Sequence, residues 1–430
     1  MGQLRATKPG LLVCVAVCIS IFLYLRSSAP EAAEAELTHP AAVECGFYPD
    51  ELCSALFEGK KAAPQIAKFC KSPPTSHLLG YVHKAGNCSQ VSRGLHFITT
   101  PLSAEEGNFS LAYIIAFHEE PAMFVQLLRA IYAPQNVYCI HVHEKAPRKY
   151  TRMVQTLANC FENIFIPSQT QKAAYSNLAR LQADINCMKD LVQSKLRWRY
   201  VINLCDQDFP IKTNREIIHY LRSKWKDKNI TPRVAQTARP PPPPGPGLPE
   251  SRTEGSIHVS PNEGFERKPP HNVTIYFGSA YYLLTRKFVE FILTDSHAKD
   301  MLQWARDSHS PEQHYWVTLS RLKDAPGATR DAGWEGNVRA VKWRTEEGIV
   351  HDGCKGHYVQ DTCVYGPGDL PWIIQSPSLF ANKFEPASEP LVVTCLERRH
   401  RLRVLAQAEV PIEPHWRFQP ESHFNMKLHC

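Results

Sequence analysis

Between residues 111 and 205, apolar segments of strand length alternate with segments of helical periodicity, and nothing else in the 430-residue chain limits its fold as severely. Leu111 to Phe117 is a continuous apolar run, which needs cover on both of its faces. Pro121 then stands where a first helical turn tolerates a missing N–H, ahead of Met123, Leu127, Leu128 and Ile131 at helical spacing. The same alternation predicts strands at 137–142, 163–166 and 200–205, with helices at 148–161 and 175–192 between them. Strands and helices in that order build an α/β fold on a mostly parallel sheet. A strand pattern resumes at 273–285 and a helix at 311–322. Ligands of such sheets collect outside the carboxyl ends of the strands, here Phe117-His118, His143-Glu144-Lys145 and Asp206-Gln207-Asp208. No G-x-G-x-x-G follows the first strand, so the dinucleotide fingerprint is absent.

The N-terminus and the cysteines speak to compartment. Arg5 and Lys8 precede an apolar run from Leu11 to Leu25, closed by Arg26. A full membrane span needs about 20 residues, so this run is short. It reads either as a cleaved secretory signal, with Ser27-Ser28-Ala29 at the cleavage site, or as a signal-anchor with a cytosolic N-terminus. The Ala/Glu/Pro-rich segment 27–44 has no periodic pattern, as a stem would. Sequons at Asn87, Asn108, Asn229 and Asn272, and twelve cysteines beyond the run without C-x-x-C spacing, point to disulfides in an oxidising lumen rather than to zinc. The net charge of +7 is dispersed, with no basic stripe carrying interleaved aromatics, which argues against nucleic acid. Five prolines after Arg239 fit neither helix nor central strand and read as an extended loop at 239–250.

Four groups of residues carry chemistry, each with a plainer alternative. Asp206 and Asp208 form a D-x-D after an apolar strand, a spacing suited to a hard divalent cation, but Asp208 alone would orient the turn before Phe209-Pro210. His141 alternates with buried positions and reads as structural, beside His118 and His143 at strand ends. Trp316, Trp343 and Trp372 are of a type that stacks on sugars; Trp316 fits a core position better. In Ser310-Pro311-Glu312-Gln313, Ser310 and Gln313 have capping-box spacing with Pro311 at the first helical position, so all four can serve a helix end. Glu312 can also accept a proton, which the Gln313 amide cannot.

Several long motifs in register carry a family likeness. The segments 128–136 (LRAIYAPQN), 208–214 (DFPIKTN), 366–370 (GPGDL), 378–384 (SLFANKF) and 310–319 (SPEQHYWVTL) resemble those of the core 2/I-branching β-1,6-N-acetylglucosaminyltransferases, closest to the I-branching type, over residues 53–403. The resemblance implies a GT-A-like fold behind an anchor and stem: a cytosolic tail 1–10, a transmembrane signal-anchor 11–25, a lumenal stem 26–52 and a transferase domain 53–430. It implies a single-pass type II protein of the Golgi membrane. The implied reaction is an inverting, metal-independent transfer of GlcNAc from UDP-GlcNAc to a 6-hydroxyl of a glycoprotein glycan, with no cofactor.

Position by position, the family's catalytic glutamate falls on Gln313, and Glu312 is the adjacent candidate base. Donor contacts fall on Ala116, Phe117, His118, His143, Glu144, Lys145 and Tyr175; relatives have an aspartate where His143 stands. The diphosphate lysine falls on Lys383, and an arginine of the core 2 member on Gln360. The acceptor-binding stretch is shortened to Arg252-Thr253-Glu254. Implied disulfides are Cys53–Cys395, Cys88–Cys160, Cys139–Cys187 and Cys354–Cys363, with Cys205 free and Cys45, Cys70 and Cys430 unassigned. Gln313, His143 and Gln360 leave a second reading open, in which the chain binds a UDP-sugar, a glycan or a partner without catalysing transfer.

Overall fold

The computed structural model describes residues 49–70, 79, 82, 87–169, 178–232, 268–308, 310–329 and 338–418. The apolar run, Tyr175, the proline loop, residues 252–254, Cys45 and Cys430 lie outside them. No helix among the described residues is long and apolar enough to cross a membrane.

Five strands form the central sheet: β1 (Leu111–Phe117), β2 (Val137–Val142), β3 (Ile164–Phe165), β4 (Tyr200–Cys205) and β6 (Leu283–Thr285), in the order β3-β2-β1-β4-β6. β1 pairs in parallel with β2 and β4, and β2 with β3; β6 alone runs antiparallel. Successive residues of β1 serve two different cores, which is why the run is apolar throughout. Leu111, Tyr113, Ile115 and Phe117 pack with Phe124, Leu128, Met153 and Ile218 from the helices on one face. Ala112 and Ile114 pack with Leu181, Met188, Phe288 and Trp316 on the other. Trp316 is therefore a core residue.

A second, smaller sheet is assembled from distant pieces, β5 (Phe209–Pro210), β7 (Arg339–Ala340) and β10 (Phe380–Ala381), in the order β5-β10-β7. β8 (His357–Val359) and β9 (Thr362–Val364) form a separate hairpin. A third core joins these to the helices Pro49–Phe57 and Pro390–Ala406. The packed part thus reaches back to Leu52, Cys53 and Leu56. The disulfides Cys53–Cys395, Cys88–Cys160, Cys139–Cys187 and Cys354–Cys363 are all formed, and Cys205 is a free thiol. Cys70 is disulfide-bonded as well, a pairing that the family likeness left unassigned.

The strand pattern at 273–285 is only partly realised. Between 276 and 282 the backbone bonds to side chains and loops instead: the Tyr276 N–H donates to Thr318 Oγ1 at 3.0 Å, Gly278 N–H to Gln313 O at 2.8 Å, and Tyr282 N–H to Asn203 Oδ1 at 2.8 Å. Only the last three residues, next to β4, find a strand partner. The sequon at Asn229 also needs correction as a glycan acceptor. Its side chain is fully buried, donating to Pro326 O at 2.8 Å and accepting from Thr285 N–H at 3.0 Å, so a glycan there would displace the core. Asn87, Asn108 and Asn272 are exposed.

Buried histidines set an acid limit on stability. Burial holds His314, His96 and His141 at about 4 and His400 at about 3, against 6.5 for a free imidazole. Below pH 6.5 the unfolded chain takes up these protons and the folded chain does not, so stability falls as pH drops from 7 toward 4. Each histidine contributes about 1.4 kcal/mol per pH unit across that window. Asp184, which burial raises to about 6, opposes the trend, as do the partly buried Glu120, Glu346 and Glu389, whose pKa values burial also raises, while His118, lowered by burial, adds to it. Urea unfolding at pH 7 and pH 5 is expected to give a lower midpoint at pH 5. The drop should be smaller in His314→Gln, and an equal drop would remove His314 from the account.

Candidate functional site

The carboxyl ends of β1, β2 and β4 lie side by side. His143 N–H donates to Phe117 O at 2.9 Å, and Asp206 N–H to Ala116 O at 3.0 Å, so the three strand ends are stitched into one rim. Phe117 itself turns away from this rim. It is fully buried, stacked on Phe124 at 4.5 Å and Tyr150 at 5.0 Å, and leaves only its backbone for a ligand. Ala116 is half-buried, while Glu144 and Lys145 are exposed. The His118 and His143 rings stand 5.1 Å apart. Burial lowers the His118 pKa, with Asp206 pulling the other way and His143 and Arg180 reinforcing the fall. His143 Nδ1 accepts the Lys145 N–H at 3.2 Å.

Both aspartates of the D-x-D are committed to the protein. Asp206 Oδ2 accepts the N–H groups of His118, Glu119 and Glu120 at 2.9, 2.9 and 3.1 Å, filling the N-terminus of the helix Pro121–Ile131 with a negative charge. Asp208 is fully buried and paired with Arg339, whose Nε donates to Oδ1 at 2.7 Å. It also accepts from the Cys205 N–H at 2.6 Å and from Asn382 Nδ2 at 3.0 Å. The plainer alternative, an aspartate that orients the turn before Phe209, describes it well. Asp208→Ala would strand Arg339 in the interior and is expected to cost about 3–5 kcal/mol in urea unfolding; a loss under about 1 kcal/mol would show the pair to be dispensable.

The helix Glu312–Leu319 begins differently from the capping-box expectation. Pro311 is its N-cap, no side chain caps it, and Ser310 has φ +47°, outside the geometry of a capping serine. Glu312 and Gln313 are both half-buried. The Gln313 carbonyl is held by the Gly278 N–H at 2.8 Å, and a Cβ at Gly278 would meet Pro232 O at 2.7 Å, so this strap is bonded to the helix start on one side and tight against the Pro232 backbone. The next residue, His314, is fully buried, with Nε2 3.2 Å from Ser308 Oγ.

Glu312 bears electrostatically on Arg180 and Asp184, at the start of the helix Ala179–Gln193. Burial works against the Arg180 charge, yet Tyr281, Glu312 and Asp184 outweigh it and leave its pKa raised. Two guanidinium groups lie over the Tyr281 ring, Arg339 at 3.3 Å and Arg180 at 5.2 Å from its centroid. Asp184 is buried behind the Tyr282 hydroxyl, which donates to it at 2.8 Å. Of these two carboxylates, only Glu312 keeps surface for a substrate.

Lys383 is half-buried beside Glu120, whose pKa burial and Glu385 raise and Lys383 lowers. That puts the lysine next to the His118–Glu120 turn. Gln360 is on the exposed tip of the β8–β9 hairpin with φ +56°, its carbonyl accepting from Arg344 Nη2 at 3.4 Å. The fold therefore gathers Ala116, His118, His143 and Lys383 at the strand ends, with Glu312 reaching the same region through Arg180. Arg180, Tyr281 and Arg339 were missed by sequence reasoning. They are far apart in the chain, and no local motif marks them.

Residues 111–374 match the family model described as "Core-2/I-Branching enzyme". The chain is 72% identical over the whole length of both proteins to a human protein named "Probable beta-1,3-galactosyl-O-glycosyl-glycoprotein beta-1,6-N-acetylglucosaminyltransferase 7". It is 44% identical to the human "N-acetyllactosaminide beta-1,6-N-acetylglucosaminyl-transferase", across 86% of this chain and 89% of that one. With the rat "Beta-1,3-galactosyl-O-glycosyl-glycoprotein beta-1,6-N-acetylglucosaminyltransferase 3" the identity is 35%, across 77% of each.

Proposed function

Because the chain belongs to the Core-2/I-Branching enzyme family, we propose that it is a β-1,6-N-acetylglucosaminyltransferase that moves GlcNAc from UDP-GlcNAc to a 6-hydroxyl of a glycoprotein glycan. The reaction is a direct displacement. A base takes the hydroxyl proton while the oxygen attacks the anomeric carbon from the face opposite UDP, the bond to the diphosphate breaks, and the anomeric configuration inverts. Glu312 is the base and Lys383 the cation that meets the charge growing on the departing UDP. Ala116, His118 and His143 border the nucleotide, and the family likeness gives Tyr175, outside the described residues, a role in donor binding.

One observation carries the assignment of the base: Glu312 is a half-exposed carboxylate directly beside Gln313, the family's base position, which holds an amide. No metal is needed in this scheme, since Asp206 and Asp208 already have backbone and arginine partners. The apolar run at 11–25, the sequons and the disulfides support a type II protein of the Golgi membrane with its catalytic domain in the lumen. Purified full-length protein, offered UDP-GlcNAc and a panel of glycan acceptors in the presence of a chelator, should transfer sugar with release of UDP. Binding of UDP without transfer to any acceptor would favour the non-catalytic reading that Gln313 suggests.

A further inference from the structure

A cavity of about 870 Å³ opens at the other end of the central sheet, by the start of β1 and β4 and the end of β6. Its volume is within the roughly 300–1,000 Å³ of small-molecule sites. The donor rim is at the opposite ends of the same parallel strands. Its wall carries Arg199, Arg222, Lys226 and Arg286, together with Asn108, the asparagine of the Asn108-Phe109-Ser110 sequon.

The polar groups of this wall are arranged and partly unspent. Arg199 lies over the Phe109 ring at 5.2 Å and Arg286 over Trp198 at 5.2 Å, so two guanidinium planes are fixed on buried aromatics. Arg222 is paired with Glu105 at 2.8 Å, and Arg286 with Glu290 at 3.0 Å. Arg286 Nη1 is buried without a hydrogen-bond partner among the described residues. Donors and carboxylates in alternation suit the hydroxyl and acetamido groups of a neutral sugar better than a bare anion. The sequons differ in their readiness to carry one. Asn87 spends its side chain capping a helix, accepting from Gln90 N–H at 2.9 Å, and Asn229 is buried. Asn108 is exposed, at the end of the short helix Ala104–Gly107, on the wall of the cavity itself.

We infer that Asn108 carries an N-linked glycan whose first sugars lie in this cavity, so that the protein's own modification fills it. A tethered ligand needs little intrinsic affinity, because its effective concentration is of millimolar order. By binding only the folded state it stabilises that state. The inference rests on the lumenal topology proposed above.

The test uses full-length protein from glycosylating cells, with site occupancy read by peptide mass spectrometry and glycan release followed with peptide N-glycosidase on native protein. Asn108 is expected to be occupied, and to lose its glycan about 10-fold or more slowly than Asn87 or Asn272, a protection that Arg222→Ala should shorten. Ser110→Ala, which abolishes the sequon and keeps Asn108, should lower Tm by about 2–4 °C, with Asn108→Gln giving the same drop. Occupied Asn87 or Asn272 with an empty Asn108 would overturn this inference alone. So would release from Asn108 as fast as from the others, or an unchanged Tm in Ser110→Ala. If no sequon carries sugar, the lumenal topology falls with it.

Discussion

Glu312→Gln is expected to lower kcat by about 10²–10⁴-fold, with the donor KM and the Tm of the free protein little changed. The substitution keeps the shape of the side chain and removes its ability to hold a proton. The helix Glu312–Leu319 has no side-chain cap to lose, and Arg180 keeps Tyr281 and Asp184 when the Glu312 charge is removed, so the loss should be mainly chemical. Adjacent helical residues point about 100° apart, which makes the neighbouring position an informative control. Gln313→Ala should cost far less, because its anchor to Gly278 is through the backbone carbonyl. Gln313→Glu should change kcat only a few-fold if Glu312 already serves. A large gain of activity in Gln313→Glu, with Glu312→Gln silent, would return the base to the family's usual position and make the natural protein a disabled enzyme.

Removing the cation at the leaving group comes next in size. Lys383→Ala should lower kcat by about 10²–10³-fold, the range for losing one preorganised partner of developing charge. The diphosphate gains negative charge as the glycosidic bond breaks, so kcat should fall by more than the donor KM rises. Lys383→Arg should restore part of the rate by keeping the charge, and UDP should inhibit the alanine variant more weakly than the wild type. Equal transfer rates in Lys383→Ala and wild type would show that another group meets the phosphates.

How much of this was legible in the chain depended on whether the signal was local. β1, β2 and β4 could be read because helices cover both faces, and that burial writes an unbroken apolar run into the sequence. The second sheet could not. Phe380–Ala381 pairs with Phe209–Pro210 and Arg339–Ala340, two residues at a time across long separations, and so short a strand leaves no periodicity. The disulfides were legible through family likeness, not through cysteine spacing. The helix start at Ser310 misled because capping-box spacing says nothing about φ, and Ser310 takes the left-handed region. Asn229 misled for a related reason: a sequon specifies three residues, whereas burial is decided by the whole fold.

The donor pocket was half legible. Its strand-end members follow from topology, but the cluster of Arg180, Tyr281 and Arg339 arises only when three separate segments meet. The D-x-D gives the opposite lesson. Its spacing invites a metal, and its environment supplies other partners, three backbone N–H groups for Asp206 and an arginine for Asp208.

The most direct test of the donor pocket is a crystal structure of the protein with UDP, grown in the presence of a chelator. Fixed side-chain cations at the strand ends predict the diphosphate within hydrogen-bond distance of Lys383 Nζ, with the nucleotide bordered by His118 and His143. A nucleotide bound only when a divalent ion bridges it to Asp206 or Asp208, or one seated in the basic cavity at the far end of the sheet, would contradict the account.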